Sequence, residues 1–178
     1  MTEKHKPASK DWLSKIDFEA IPDRDDKLAE CQYFLSLAEL EADRQKFRWL
    51  ISAFLNAVYS FFETSALYAH VAFTSPDTGE PIADTDALET LKQYVEMSQR
   101  QKDPYYVKTA GKHEITKRLY KVRQSSTHHY ALRIMATGPS LPEDFHFGSE
   151  RGNGTPVLTL CRDAMNLILK VNSELGNI

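Results

Sequence analysis

The sequence predicts an all-α protein, a four- to five-helix up-down bundle, on three observations. No glycine or proline occurs between Pro22 and Pro76, so nothing punctuates helix over that interval. Two apolar stripes inside it repeat at three and four residues, the spacing of one helix face. Further on, Thr155, Pro156 and Gly176 bracket another amphipathic segment in the way helix ends are marked.

The first helix is capped by Asp25 or Asp26 and carries Leu28, Cys31, Leu35 and Ala38 on one side. The charged run Glu39 to Lys46 reads as an antiparallel turn near Asp43 or as the middle of one bent helix. The second helix has the stronger stripe: Phe47, Leu50, Ile51, Phe54, Val58, Phe61 and Phe62, widened by Leu55 and Leu67. Its aromatic residues, Trp49, Phe54, Tyr59, Phe61 and Phe62, read as core rather than as a platform for stacking bases. SPDTGEP ends this helix. The next starts near Asp84 or Thr85, with Leu88, Leu91, Tyr94, Val95 and Met97 at helical spacing. Another covers about 104–127, with Tyr106, Ile115, Leu119 and Val122 inward and Gly111 as an interruption. A short extended piece is expected at Leu132 to Met135 and no other strand. Gly138 to Gly154 reads as a long loop, a flap or a functional surface. The last helix follows Leu158, Cys161, Met165, Leu169 and Asn172, with Thr155 as cap and Pro156 in its first turn.

A chain of 178 residues with 42% hydrophobic content supports one core, hence a single domain over 25–178 behind an N-terminal extension of 1–24. Net charge of −3 argues against a protein that coats nucleic acid with a broad basic surface, while leaving room for local basic patches. Cys31 and Cys161, far apart and among apolar residues, read as buried thiols of a reducing compartment. No stretch has the length of a secretory signal or a bilayer span, so the expected location is cytoplasmic, with no membrane partner.

The chemistry-bearing segment is KVRQSSTHHY, residues 121–130. Arg123 supplies a guanidinium that pairs with phosphate oxygens, and His128 an imidazole that exchanges a proton near neutral pH. Together these handle one phosphodiester. Arg and His near a helix C-terminus are also favoured simply as caps of free carbonyls. Ser125 and Ser126 fit phosphate contact or helix-end capping equally. His129 reads as a structural neighbour of His128. Asn56 breaks the second helix's stripe, either facing the Arg/His segment or lying at the edge of the apolar face. Tyr59 and Glu63 are further groove candidates. His128, His129 and His146 with Asp144 or Glu143 lack fixed ligand spacing, so no metal and no cofactor is expected. GSERGNG lacks the Lys and Ser/Thr of a phosphate-binding P-loop and is not expected to follow a strand.

The pair DKLAECQYFLSLAELEADRQKFRWLISAFLNAVYSFFE and LYKVRQSSTHHY resembles the HEPN superfamily (higher eukaryotes and prokaryotes nucleotide-binding domain). These are small α-helical bundles, often homodimers, many of them metal-independent endoribonucleases, and their signature is Arg, four to six residues, then His. Arg123, four residues and His128 match it, over a resemblance spanning roughly Asp25 to Tyr130 plus the last helix. Gln124 stands where the family usually has Asn, Asp or His. The resemblance implies RNA as substrate, Arg123 as phosphate clamp, His128 as general base or acid, and supporting roles for Gln124, Ser125, Ser126, His129 and Asn56. A twofold dimer would join two copies of the site. The motif also reads as Arg, four residues, His, any residue, Tyr. In HEPN toxins paired with a nucleotidyltransferase antitoxin, such a tyrosine receives AMP, and the resemblance implies that role for Tyr130. A HEPN-like bundle without catalysis, serving binding or dimerisation, is the alternative expectation.

Overall fold

A computed structural model describes residues 23–73, 114–128, 132–138, 141–150 and 153–177, with isolated positions 75, 77, 78, 82, 85 and 86. The described part is mostly helical, with α1 (Arg24–Ala38), α2 (Arg44–Ala72), α3 (Glu114–His128) and α4 (Val157–Leu175). A small antiparallel sheet adds β1 (Ile134–Ala136), β2 (Phe145–Phe147) and β3 (Thr155–Pro156) in the order β1-β2-β3. The helical class expected from the sequence is thus supported in its coarse form, with a small sheet added to it.

α1 is capped by Asp23, not by Asp25 or Asp26: its Oδ1 accepts the Asp26 backbone N–H at 2.8 Å. The two later aspartates lie in the first turn, where negative charge complements the helix dipole. Cys31, Leu35 and Ala38 are buried, one turn apart. The turn near Asp43 is present, and it is made without glycine. Glu39, Leu40 and Glu41 donate backbone N–H groups to the Leu35, Leu37 and Ala38 carbonyls. The Glu41 side chain then accepts the Asp43 N–H at 2.8 Å, and Asp43 accepts from Gln45 and Lys46 at 2.9 Å, capping α2. Side-chain carboxylates here satisfy the free amides that begin a helix.

α2 carries the centre of the core. Phe47, Ile51, Phe54, Leu55, Ala57, Val58, Phe61 and Phe62 are all buried, and Leu50 packs partly against them. Trp49 departs from the expected core role and stands 56% exposed, because it lies off the stripe beside the end of α1. α4 buries Leu158, Cys161 and Met165 as predicted, but also Leu160, Ala164, Leu167, Ile168 and Val171. Its inner arc is wider than the single line read from the sequence, and Leu169 falls outside it, exposed. Thr155 does not cap α4: Thr155 and Pro156 are strand residues, the helix begins at Val157, and no side chain caps it. In α3, Thr116 and Leu119 are buried and Ile115 and Val122 pack partly into the core. Tyr106, Gly111 and the helix expected from 84 onward lie outside the described residues, except that Asp86 has helical backbone and accepts from Lys170 of α4 at 2.7 Å.

The stretch expected to be a long loop contains a strand. Ile134, Met135 and Ala136 of β1 stand opposite Phe147, His146 and Phe145 of β2, and His146 and Phe147 stand opposite Pro156 and Thr155 of β3. Leu132 to Met135, the expected extended piece, thus leads into a real ladder. Phe145 is fully buried and docks β2 onto the helices. A 3-10 turn at Pro142–Asp144 precedes β2, and Gly148, at φ 124°, lets the chain reverse after it. Of the expected N-terminal extension 1–24, residues 1–22 lie outside the described residues, while Asp23 and Arg24 cap and begin α1. Among those described, no helix is long and apolar enough to cross a membrane.

Candidate functional site

α3 positions the Arg/His segment. Its first half is held by Thr116 and Leu119 in the core, and its helical backbone continues without a break through Arg123, Gln124, Ser125, Ser126 and His128, the last helical residue. Side chains from Arg123 onward lie outside the described set, as do His129 and Tyr130 entirely. The backbone alone fixes one relation. In a continuous α-helix, five residues give about 7.5 Å of rise and roughly 140° of rotation between the Arg123 and His128 Cα positions. Ser126 and Thr127, three and four residues after Arg123, share its side more closely.

Of the supporting candidates, Asn56 lies exposed on α2, Tyr59 is half-buried and Glu63 exposed. His146, weighed earlier as a metal ligand, is engaged locally: its Nδ1 lies 3.0 Å from the Asp144 carbonyl oxygen, to which the ring donates, and 3.4 Å from Thr137 Oγ1. The Asp144 carboxylate accepts the Leu141 N–H at 3.2 Å and crowds Gly138, where any Cβ would collide with it. No group of three or more His, Cys, Asp or Glu side chains with metal-binding geometry occurs among the described residues. GSERGNG does follow a strand, contrary to expectation, but it leads into β3 rather than into a helix, so its backbone lacks the setting of a P-loop. Both cysteines are free and buried. Burial pushes the Cys31 thiol up to about 12 and raises that of Cys161 as well, which leaves both poor nucleophiles at neutral pH.

Two concave features were not legible beforehand. A cavity of about 410 Å³ opens between the start of α2 and β1, lined by Arg44, Arg48 and Arg133, with Leu132, Ile134 and Met135 as its apolar side. Arg44 and Arg48 are one turn apart on α2, a spacing visible in DRQKFR, but nothing in the sequence pairs them with Arg133. A more apolar groove of about 640 Å³ runs between the end of α1 and the start of α2, where Phe34, Leu37, Leu40, Trp49 and Leu50 meet.

No known protein family, curated protein or solved structure matches this chain.

The arginine cavity and the Arg/His segment are near one another along the chain. His128 ends α3, and four residues later Leu132 already lines the cavity. Four residues of chain span at most about 14 Å. The site region is thus one end of the helical layer, where α3 finishes, α2 begins and the sheet attaches.

Proposed function

We propose that this chain is a HEPN-like helical-bundle protein that cleaves RNA without a metal, acting as a homodimer through Arg123 and His128. The observation that carries the reading is the placement of the complete Arg-x4-His segment on the final turns of α3, a helix anchored in the core by Thr116 and Leu119. In the proposed reaction, neutral His128 takes the proton of the ribose 2′-hydroxyl, and the 2′-oxygen attacks phosphorus. Arg123 balances the charge on the non-bridging oxygens as the bond to the 5′-oxygen breaks. A protonated imidazole, His128 of the second copy, delivers a proton to that leaving oxygen. The products are a 2′,3′-cyclic phosphate and a free 5′-hydroxyl. In a toxin or defence setting, AMP placed on Tyr130 by a nucleotidyltransferase-type antitoxin would add a charged nucleotide two residues from His128 and block RNA entry.

The second reading is a HEPN-like bundle that binds or dimerises without catalysis. It is favoured by the rotation of roughly 140° between the Arg123 and His128 positions on one continuous helix, and by Gln124 in place of the family's usual Asn, Asp or His.

Cleavage of a mixed RNA pool in EDTA separates the two readings. The nuclease reading expects cyclic-phosphate ends from the wild-type protein and loss of cleavage in both Arg123→Ala and His128→Ala, with folding intact. Absence of wild-type cleavage, or equal cleavage by all three proteins, moves the assignment to the binding module.

A further inference from the structure

The cavity between α2 and β1 gathers Arg44 and Arg48 of α2 and Arg133, the residue just before β1, around one space of about 410 Å³. That volume falls in the ~300–1,000 Å³ range of small-ligand sites. Among the described residues no carboxylate lines it. Among the described residues neither Arg44 nor Arg48 enters an ion pair. The nearest acids along the chain do not fill the gap. The Asp43 carboxylate is committed to the amides of Gln45 and Lys46 at 2.9 Å, and Glu150 is exposed beyond Ser149. In a chain of net charge −3, this is a local concentration of positive charge against a low-dielectric wall, which focuses the field on an anion in the cavity.

We propose that the cavity is a phosphate-binding site, in which Arg44, Arg48 and Arg133 hold the oxygens of a phosphate ester and the Leu132, Ile134 and Met135 side receives its organic part. Each guanidinium presents a fork that spans two oxygens. A carboxylate offers two oxygens in one plane and suits a single fork, whereas tetrahedral phosphate offers oxygens in several directions and suits forks that converge from two elements. Because Asp43 already occupies the first amides of α2, the guanidiniums supply the anion contacts. The apolar side has no use for inorganic phosphate, so an ester with a flat or apolar appendage, such as a nucleoside, binds more tightly than phosphate alone. A free nucleotide and one unit of an RNA strand share this chemistry. The proposal does not depend on Arg123 and His128, and no bond is broken in it.

Calorimetric titration of the full chain in EDTA, with inorganic phosphate, adenosine, AMP and a short single-stranded RNA as probes, tests the site. His128→Ala protein is used for the RNA arm so that the probe stays intact. The expected order is AMP tighter than phosphate, with adenosine weakest. Arg44→Gln/Arg48→Gln and Arg133→Gln each weaken AMP at least tenfold, while Arg162→Gln, the same charge removed from α4, changes it less than twofold. RNA binding tighter than AMP with the same arginine dependence assigns the site to a strand, and the reverse order assigns it to a free nucleotide. A second readout uses wild-type protein alone: AMP protects Arg44, Arg48 and Arg133, but not Arg162, from modification by phenylglyoxal. The proposal is overturned if no phosphate probe binds at millimolar concentration, if adenosine binds as well as AMP, if Arg162→Gln weakens binding equally, or if protection is absent. Loss of RNA cleavage with AMP binding retained would sink only the nuclease reading.

Discussion

The rings of Phe47 and Phe145 meet with centroids 4.6 Å apart and planes tilted by 48°. Both side chains are fully buried, so the contact fastens the first full turn of α2 to the middle strand of the sheet. Phe145→Ala should remove about 3–5 kcal/mol, the usual cost of emptying a buried phenylalanine site. Urea denaturation measures it, and a loss below about 1 kcal/mol would mean that the sheet does not dock on the helices.

Two aromatic residues on α2 should respond very differently to truncation. Phe54 has no exposed surface, whereas Trp49 stands 56% exposed beside the apolar groove. Phe54→Ala is expected to cost about 3–5 kcal/mol, and Trp49→Ala under about 1 kcal/mol. Matched thermal melts decide the point. Equal losses would show that Trp49 is covered in solution.

Asp43 gives the fold a pH dependence whose sign is fixed by its hydrogen bonds. The backbone N–H of Lys46, seconded by that of Gln45, holds its carboxyl below the ordinary aspartate range. A depressed folded value means that the stabilisation is present above the unfolded value of about 3.9 and fades as pH falls through the folded one. Asp43→Asn keeps a capping oxygen but drops the charge. Its stability deficit against wild type should be constant from neutral pH down to about 4 and shrink below that. A deficit that does not change with pH would rule out the charge as its origin.

Neither thiol should react while the protein is folded. Cys31 and Cys161 are buried, and desolvation raises both thiols well above the usual range. Labelling with a thiol reagent at pH 8 should be negligible until denaturant is added, then reach both cysteines of the chain. Rapid native labelling of either would contradict its placement in the core.

The helices were legible because burial repeats: Phe47, Ile51, Phe54, Val58 and Phe61 recur at three and four residues, and Cys31, Leu35 and Ala38 do the same. The sheet was not, apart from its first strand. FHF and TP are too short to show a two-residue period, and both sit among the glycines and prolines that mark loops. The cap of α4 was misplaced for the same reason, since Thr155 and Pro156 are a helix-start signal used here as strand. At the site, the Arg/His spacing could be read from the chain, but the meeting of Arg44 and Arg48 with Arg133 depends on where β1 attaches, which no local pattern encodes.

The α1–α2 hairpin closes through residues 39–43 alone, while one of its main coverings, α4, is far downstream. On the ribosome the hairpin therefore emerges first, and the part of its apolar surface that α4 covers stays open until Val157–Leu175 has been made. At about 5–20 residues per second this interval lasts several seconds. The nascent chain thus passes through a period in which the hairpin lacks that cover, and chaperones that bind exposed apolar helix faces have their best opportunity there.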